Sequence, residues 1–261
     1  MSNKDNLHLQ VALVQSPIKW EDPQGNRSFF GQKIDQVKEK VDLIILPEMF
    51  STGFTMSPEN IHEKEGDITL QWMQKMAQKR DCAVTGSMVY KEENHYYNRL
   101  FFVFPNGHYE SYDKRHTFTL AGEHKKYTKG TKKCIVEYKG FKICPLICYD
   151  LRFPVWSRNT KDVDLLLYVA NWPAPRVNAW DALLKARAIE NMVYCIGVNR
   201  VGKDNEGHLY TGHSGIYDPL GERIGFSEKD ETLVRTLDKA ILNKYREKLR
   251  FLEDRDIFTI H

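Results

Sequence analysis

Along this chain the apolar residues gather in short, nearly unbroken runs separated by polar turns and by longer stretches with a helical period. The sharpest run, residues 141–149, places Phe141, Ile143, Pro145 and Ile147 on one face of an extended chain and Lys142, Cys144, Leu146 and Cys148 on the other. Apolar groups on both faces predict a strand covered on both sides. Residues 9–15, 41–46, 82–90, 164–170 and 193–198 read the same way. Between them, Phe29, Phe30, Ile34, Val37 and Val41 predict a helix over 25–40. Leu70, Met73, Met76 and Ala77 predict one over 67–80, and Leu183, Leu184, Ala186, Ala188 and Ile189 one over 178–191. A short helix over 152–159 and a charged one over 239–250 complete the set.

Hairpin signals lie elsewhere. Strands 96–104 and 109–112 flank Pro105-Asn106-Gly107, and strands 135–138 and 141–149 flank Lys139-Gly140. Strands 213–217 and 232–237 are separated by the turn at 218–221. Residues 113–131 show no period and read as a functional loop. Strands alternating with helices, with hairpins between, predict an α/β fold of two mixed sheets packed face to face with helices outside. No repeat or linker breaks the chain, so residues 1–261 are expected to form one domain.

Composition narrows the classes. A formal charge of +3 is too mild to demand a nucleic-acid partner, and the basic run 124–133 around Tyr127 reads as a solvated loop. No apolar run reaches about 18 residues, so no membrane span is expected. Residues 1–6 are polar and lead straight into strand-like sequence, so no secretory leader is expected. Five scattered cysteines without a Cys-x-x-Cys pair argue against a disulfide framework and a thiolate metal site, and point to a reducing cytoplasm.

Three residues stand where buried strands stop. Glu48 follows five apolar residues, where a carboxylate is poorly hydrated, as suits a general base. Lys114 opens the irregular loop, where an ammonium can hold an oxyanion. Cys148 ends its strand beside a polar turn, whereas Cys82, Cys134, Cys144 and Cys195 read as inert packing. Cys144 lies four residues from Cys148, about 13 Å along a strand, too far for a shared metal. Base, cation and thiol together are the parts of acyl transfer through a thioester.

These motifs, Leu46-Pro47-Glu48, Asp113-Lys114-Arg115-His116 and Ile147-Cys148-Tyr149-Asp150-Leu151-Arg152-Phe153-Pro154, resemble the Glu-Lys-Cys triad of the nitrilase superfamily, the carbon–nitrogen hydrolases. Within that family the stretches around Glu48-Met49-Phe50, Ala170-Asn171-Trp172-Pro173 and Ala186-Arg187-Ala188 are similar to those of bacterial ω-amidases. The resemblance implies a four-layer αββα sandwich, assembly with a second copy into a homodimer or higher oligomer, and no metal or organic cofactor. It also implies a supporting role for Glu123, which is separated from Lys114 by a loop of eight residues. An ω-amidase releases ammonia from a short dicarboxylate monoamide such as 2-oxoglutaramate. On that reading Tyr149 supplies a backbone N–H to the oxyanion, Trp172 and Phe118 wall the pocket, and Arg176 meets the substrate carboxylate. Other hydrolases of the family, acting on N-carbamoyl amines or nitriles, remain the alternative.

Overall fold

The computed structural model describes residues 7–260; the polar stretch 1–6, where no secretory leader is expected, lies outside the described residues. In chain order the first half runs β1 (His8–Gln15), α1 (Pro23–Asp35), β2 (Leu43–Ile45), α2 (Glu65–Arg80), β3 (Ala83–Glu92), β4 (His95–Val103) and β5 (Tyr109–Asp113). The second half runs β6 (Val136–Tyr138), β7 (Phe141–Ile147), α3 (Pro154–Ser157), β8 (Leu165–Val169), α4 (Val177–Asn191) and β9 (Tyr194–Val198). It continues through β10 (Val201–Lys203), β11 (Leu209–Thr211), β12 (Ser214–Tyr217), β13 (Arg223–Ser227), β14 (Glu231–Asp238) and α5 (Lys239–Leu249).

Two six-stranded sheets result, ordered β14-β1-β2-β3-β4-β5 and β13-β12-β9-β8-β7-β6. In each, three central strands are parallel: β1, β2 and β3 in one, β7, β8 and β9 in the other. The outer strands pair antiparallel. Side-chain alternation sorts the core. Leu9, Val11, Leu13, Leu43 and Ile45 pack with Ile143, Leu165 and Leu167 of the other sheet. Their neighbours Ala12, Val14, Ile44 and Leu46 pack outward against Phe30 and Ile34 of α1 and Leu70, Met73 and Ala77 of α2. Trp180, Leu184 and Ala188 of α4 cover the second sheet. The layers are therefore α, β, β, α, which is why these strands are apolar on both faces.

Local chemistry sets the ends. Asp22 caps α1 by accepting from the Gly25 N–H at 2.9 Å, with Pro23 in the first turn. The helix stops at Asp35, short of the expected residue 40. Lys38, Glu39 and Lys40 are exposed, while Val37 and Val41 bury their side chains from irregular backbone. Two further departures matter. The turn at 218–221 leads into β13, an exposed and weakly patterned edge strand, so β12 closes a hairpin with it and β14 crosses to the first sheet. The hairpin β10–β11 stands apart from both sheets, and no periodicity predicts it. Tyr127, in the basic run, is buried and donates its hydroxyl to the Thr55 carbonyl at 2.8 Å. The ring is part of the core and offers no stacking platform for a base.

Gly86 on β3 touches the segment that follows β2. A Cβ there would sit 2.9 Å from Leu46 Cβ and 3.0 Å from the Phe50 ring. Gly86→Ala is expected to cost about 1–3 kcal/mol through overpacking, and to lower activity by displacing Glu48, which lies between those two residues. Urea unfolding beside an activity assay checks this; unchanged stability and rate would show that the segment yields freely.

Candidate active site

The functional residues emerge where strands of the two sheets end side by side. Glu48 follows β2 by way of Leu46-Pro47, Lys114 follows β5, and Cys148 follows β7 directly. Strand 141–149 is therefore shorter than its apolar pattern predicts. It ends at Ile147, and Cys148 opens a 3₁₀ turn over Cys148–Arg152. Cys148 has φ +43°, a left-handed conformation that costs a non-glycine residue about 1–3 kcal/mol. The abrupt reversal brings the thiol out of the sheet plane and into a cavity. Tyr149, second in that turn, has its N–H where a helical turn has not yet supplied a carbonyl partner.

Glu48, Lys114 and Glu123 form one buried cluster. Lys114 Nζ donates to Glu48 Oε1 at 2.9 Å and to Glu123 Oε2 and Oε1 at 2.9 and 3.1 Å. Glu48 and Glu123 are fully buried and Lys114 is 1% exposed. The ammonium stays charged: burial alone would push it down, but the charges of Glu123 and Glu48 hold it well above the usual lysine range. Glu123 is raised, chiefly by burial and also by Glu48, with Lys114 pulling the other way. Two residues to which the sequence assigns no role complete the cluster's hydrogen bonding. Asn98 on β4 donates to Glu48 Oε1 at 2.8 Å and to Glu123 Oε1 at 3.2 Å. Asn171, just past β8, donates its backbone N–H to Glu48 Oε2 and its side-chain amide to the Glu48 carbonyl, both at 2.7 Å. A polar side chain at a buried strand position is the one sequence signal Asn98 carries.

Cys148 is the fourth member. Its thiol is raised well above the ordinary cysteine value, first by burial and then by the charge of the Glu48 carboxylate; Lys114 opposes both. At neutral pH the group is a thiol, so a nucleophilic role requires a base in contact with it. Its sulfur also lies 4.0 Å from the Asn171 carbonyl. Burial pushes Cys82 up to about 11 and Cys144 up to about 12 as well. Thiols that hold their protons more tightly when folded make the unfolded chain release protons first as pH rises, so stability falls above the unfolded value near 9. Lys114, also raised, acts with the same sign at still higher pH. Urea unfolding compared at about pH 8 and pH 10 should show the lower free energy at pH 10; equal values would contradict the burial of these groups.

The thiol opens on a cavity of about 290 Å³. Trp172 and Phe118 both line it, as do the Tyr149 side chain and Arg176, so all four expected binding residues border one space. Arg176 holds its guanidinium 5.2 Å above the Phe118 ring. Arg152, which nothing in the sequence singles out for binding, lines the same cavity 4.9 Å above Trp172. Trp172 is pinned as a platform by Nε1–H donating to the Arg176 carbonyl at 2.7 Å and by its N–H donating to Asn199 at 2.8 Å. The hairpin β10–β11 and its loop contribute Asp204, His208 and Tyr210 to the far wall.

Comparison with known proteins bears on this arrangement. Residues 10–247 match the family model for carbon-nitrogen hydrolases. The chain is 43% identical to the omega-amidase YafV of Escherichia coli strain K12, over 97% of this chain and 98% of that one. It is 31% identical to the 2-oxoglutaramate amidase of Bacillus subtilis strain 168, over 94% and 96% of the two chains. Among solved structures, XC1258 of Xanthomonas campestris is a CN-hydrolase superfamily protein with an arsenic adduct in its active site. It superposes with a TM-score of 0.94 at 38% identity, covering 97% of this chain and 99% of that one. With the family model spanning nearly all of both sheets and relatives aligned end to end, the chain belongs to the carbon–nitrogen hydrolases and is an enzyme of that family.

Proposed function

We propose that this enzyme is an ω-amidase, releasing ammonia from the terminal amide of a short dicarboxylate monoamide of the 2-oxoglutaramate or 2-oxosuccinamate type. The observation that carries the chemistry is a cavity-lining thiol at a buried carboxylate. Cys148 Sγ lies 4.0 Å from the carbonyl of Asn171, whose N–H donates to Glu48 Oε2 at 2.7 Å, and Lys114 donates to Oε1 of the same carboxylate at 2.9 Å. Glu48 takes the Cys148 proton as the sulfur attacks the amide carbon. Lys114 and the Tyr149 N–H hold the oxyanion, and the proton passes to the departing nitrogen, which leaves as ammonia. The acyl group remains as a thioester on Cys148. Glu48 then deprotonates a water that attacks the thioester, and the proton returns to the sulfur as the acid departs. Glu123 keeps Lys114 charged and aimed.

The substrate class is supported by the cavity and by the activities for which the two amidase relatives are named. The space is small, its aromatic walls suit a short carbon chain, and Arg176 offers a guanidinium for a carboxylate, with Arg152 as a second cation on the same cavity. Ammonia release should be fastest on 2-oxo dicarboxylate monoamides across a panel that includes N-carbamoyl amino acids and nitriles; preference for either of the latter overturns the assignment. Arg176→Met is expected to raise KM about 10-fold or more while changing kcat little, because the carboxylate contact is made equally in ground and transition states. An unchanged KM would remove Arg176 from the site. A homodimer or larger assembly, proposed from the family resemblance, is checked by sedimentation equilibrium.

A further inference from the structure

We infer that Asp150 and His116 form a positioning clamp that sets the reactivity of Cys148 and the placement of Lys114 together, without contacting substrate. This rests on the reading of Cys148 as nucleophile. Asp150 stands two residues after Cys148, and His116 two residues after Lys114. Asp150 is fully buried, and its carboxylate accepts four hydrogen bonds. Oδ2 accepts from the Tyr112 hydroxyl at 2.7 Å and from the Ile147 N–H at 3.1 Å. Oδ1 accepts from the His116 N–H at 2.9 Å and from the His116 ring nitrogen Nδ1 at 2.7 Å. An ionised carboxylate only accepts, so Nδ1 carries the proton.

The donors come from two segments. Tyr112 and His116 flank Lys114 on the chain leaving the first sheet, and Ile147 adjoins Cys148 on the second. One carboxylate thus joins the ends of two strands from different sheets, at the point where they deliver the ammonium and the thiol. The clamp is itself braced. The His116 ring lies flat on Phe153 with centroids 3.7 Å apart and planes 5° apart, and Trp156 Nε1–H donates to the Tyr112 hydroxyl at 3.0 Å. The Ile147 bond acts on the residue just before the left-handed Cys148, where strain persists only if neighbours over-determine the backbone. Neither Asp150 nor His116 lines the cavity. Their effect therefore passes through geometry, where an error near 1 Å at the reacting atoms costs about 100-fold in rate.

The test compares His116→Phe, which keeps a ring on Phe153 but loses the donor, with His116→Asn, which offers a side-chain N–H without the ring. Two readouts are taken: alkylation of Cys148 by iodoacetamide, followed by mass mapping, and steady-state kinetics on a monoamide. For His116→Phe, alkylation should slow at least about fivefold and kcat fall about 10- to 100-fold with KM within about threefold, and His116→Asn should recover most of both. Asp150→Asn, whose amide accepts at one atom only, should also be slow. If folded His116→Phe matches the native rates, the clamp is refuted. The same holds if kcat and KM fall together with the thermal midpoint and His116→Asn recovers nothing, since that is a purely structural role. Should His116→Phe not fold, His116→Asn against Asp150→Asn carries the test, and equal alkylation rates in the two overturn it. Alkylation needs no amide substrate, so it reports on the clamp even where activity of Cys148→Ala sinks the catalytic reading.

Discussion

Replacing Cys148 with alanine should lower ammonia release by at least about 10⁴-fold, the scale seen when a covalent nucleophile is removed outright. The change deletes one nearly buried sulfur and leaves the hydrogen bonds among Glu48, Lys114, Glu123, Asn98 and Asn171 in place, so the protein should still fold. Its stability should move by about 1 kcal/mol at most, because the site is open to the cavity and little apolar volume is lost. A thermal melt beside the ammonia assay separates the two quantities. Retention of more than a few per cent of native activity on 2-oxoglutaramate would mean that some other group attacks the carbonyl. The thioester mechanism, and not just one residue's role, would then be lost.

The second large effect is expected at Lys114, where stability and rate should fail together. Lys114→Met leaves the Glu48 and Glu123 carboxylates fully buried with no ammonium between them. Breaking a buried ion pair by removing one partner costs about 3–5 kcal/mol, and loss of an oxyanion donor costs about 10²–10³ in kcat. The sign of the pH dependence is a sharper check. Glu123 is already raised in the native fold by burial and by Glu48. Without Lys114 it loses the main influence holding it down, so the folded variant takes up a proton at a pH where the unfolded chain does not. Its unfolding free energy therefore rises as pH falls toward the carboxylate range. Melts at about pH 5.5 and 7.5 should show a smaller deficit from the native protein at the lower pH. A deficit independent of pH would mean that the cluster does not carry its charge on these two carboxylates.

The strand ends explain why so much of the site was legible. A buried strand announces itself by apolar residues on both faces, and a charged or nucleophilic residue at its end is conspicuous because little else polar surrounds it. Glu48 after Leu46-Pro47 and Cys148 after Ile147 stand out in this way. Lys114 instead follows the largely exposed edge strand β5, among Glu110, Ser111, Asp113 and Arg115, and the family resemblance is what points to it. Glu123 has no such signal. It sits in a loop with two short 3₁₀ turns, and only the family resemblance points to it. Asn98 and Asn171 are quieter still, since a single amide in an apolar run reads equally well as a satisfied core residue. Their importance depends on what the opposite strand brings, which no local pattern encodes. The partner of β14 is similar. The turn at 218–221 suits a hairpin, but whether the next strand or the one after it continues that hairpin depends on which sheet has a free edge.

Local sequence by itself determined the buried strands, the main helices, a fold of two face-packed sheets with helices outside, and Glu48 and Cys148 at strand ends, because side-chain periodicity and burial are properties of a few neighbouring positions. Tertiary structure alone decided that Lys114 lies between two carboxylates, that Cys148 turns left-handed into the cavity, and that Arg152 faces it beside Arg176. Those facts arise where segments up to 123 residues apart, as for Glu48 and Asn171, meet at sheet ends. Hydrogen bonds and charge interactions act over a few ångströms of space, and the chain's order does not specify which distant groups will come within that range.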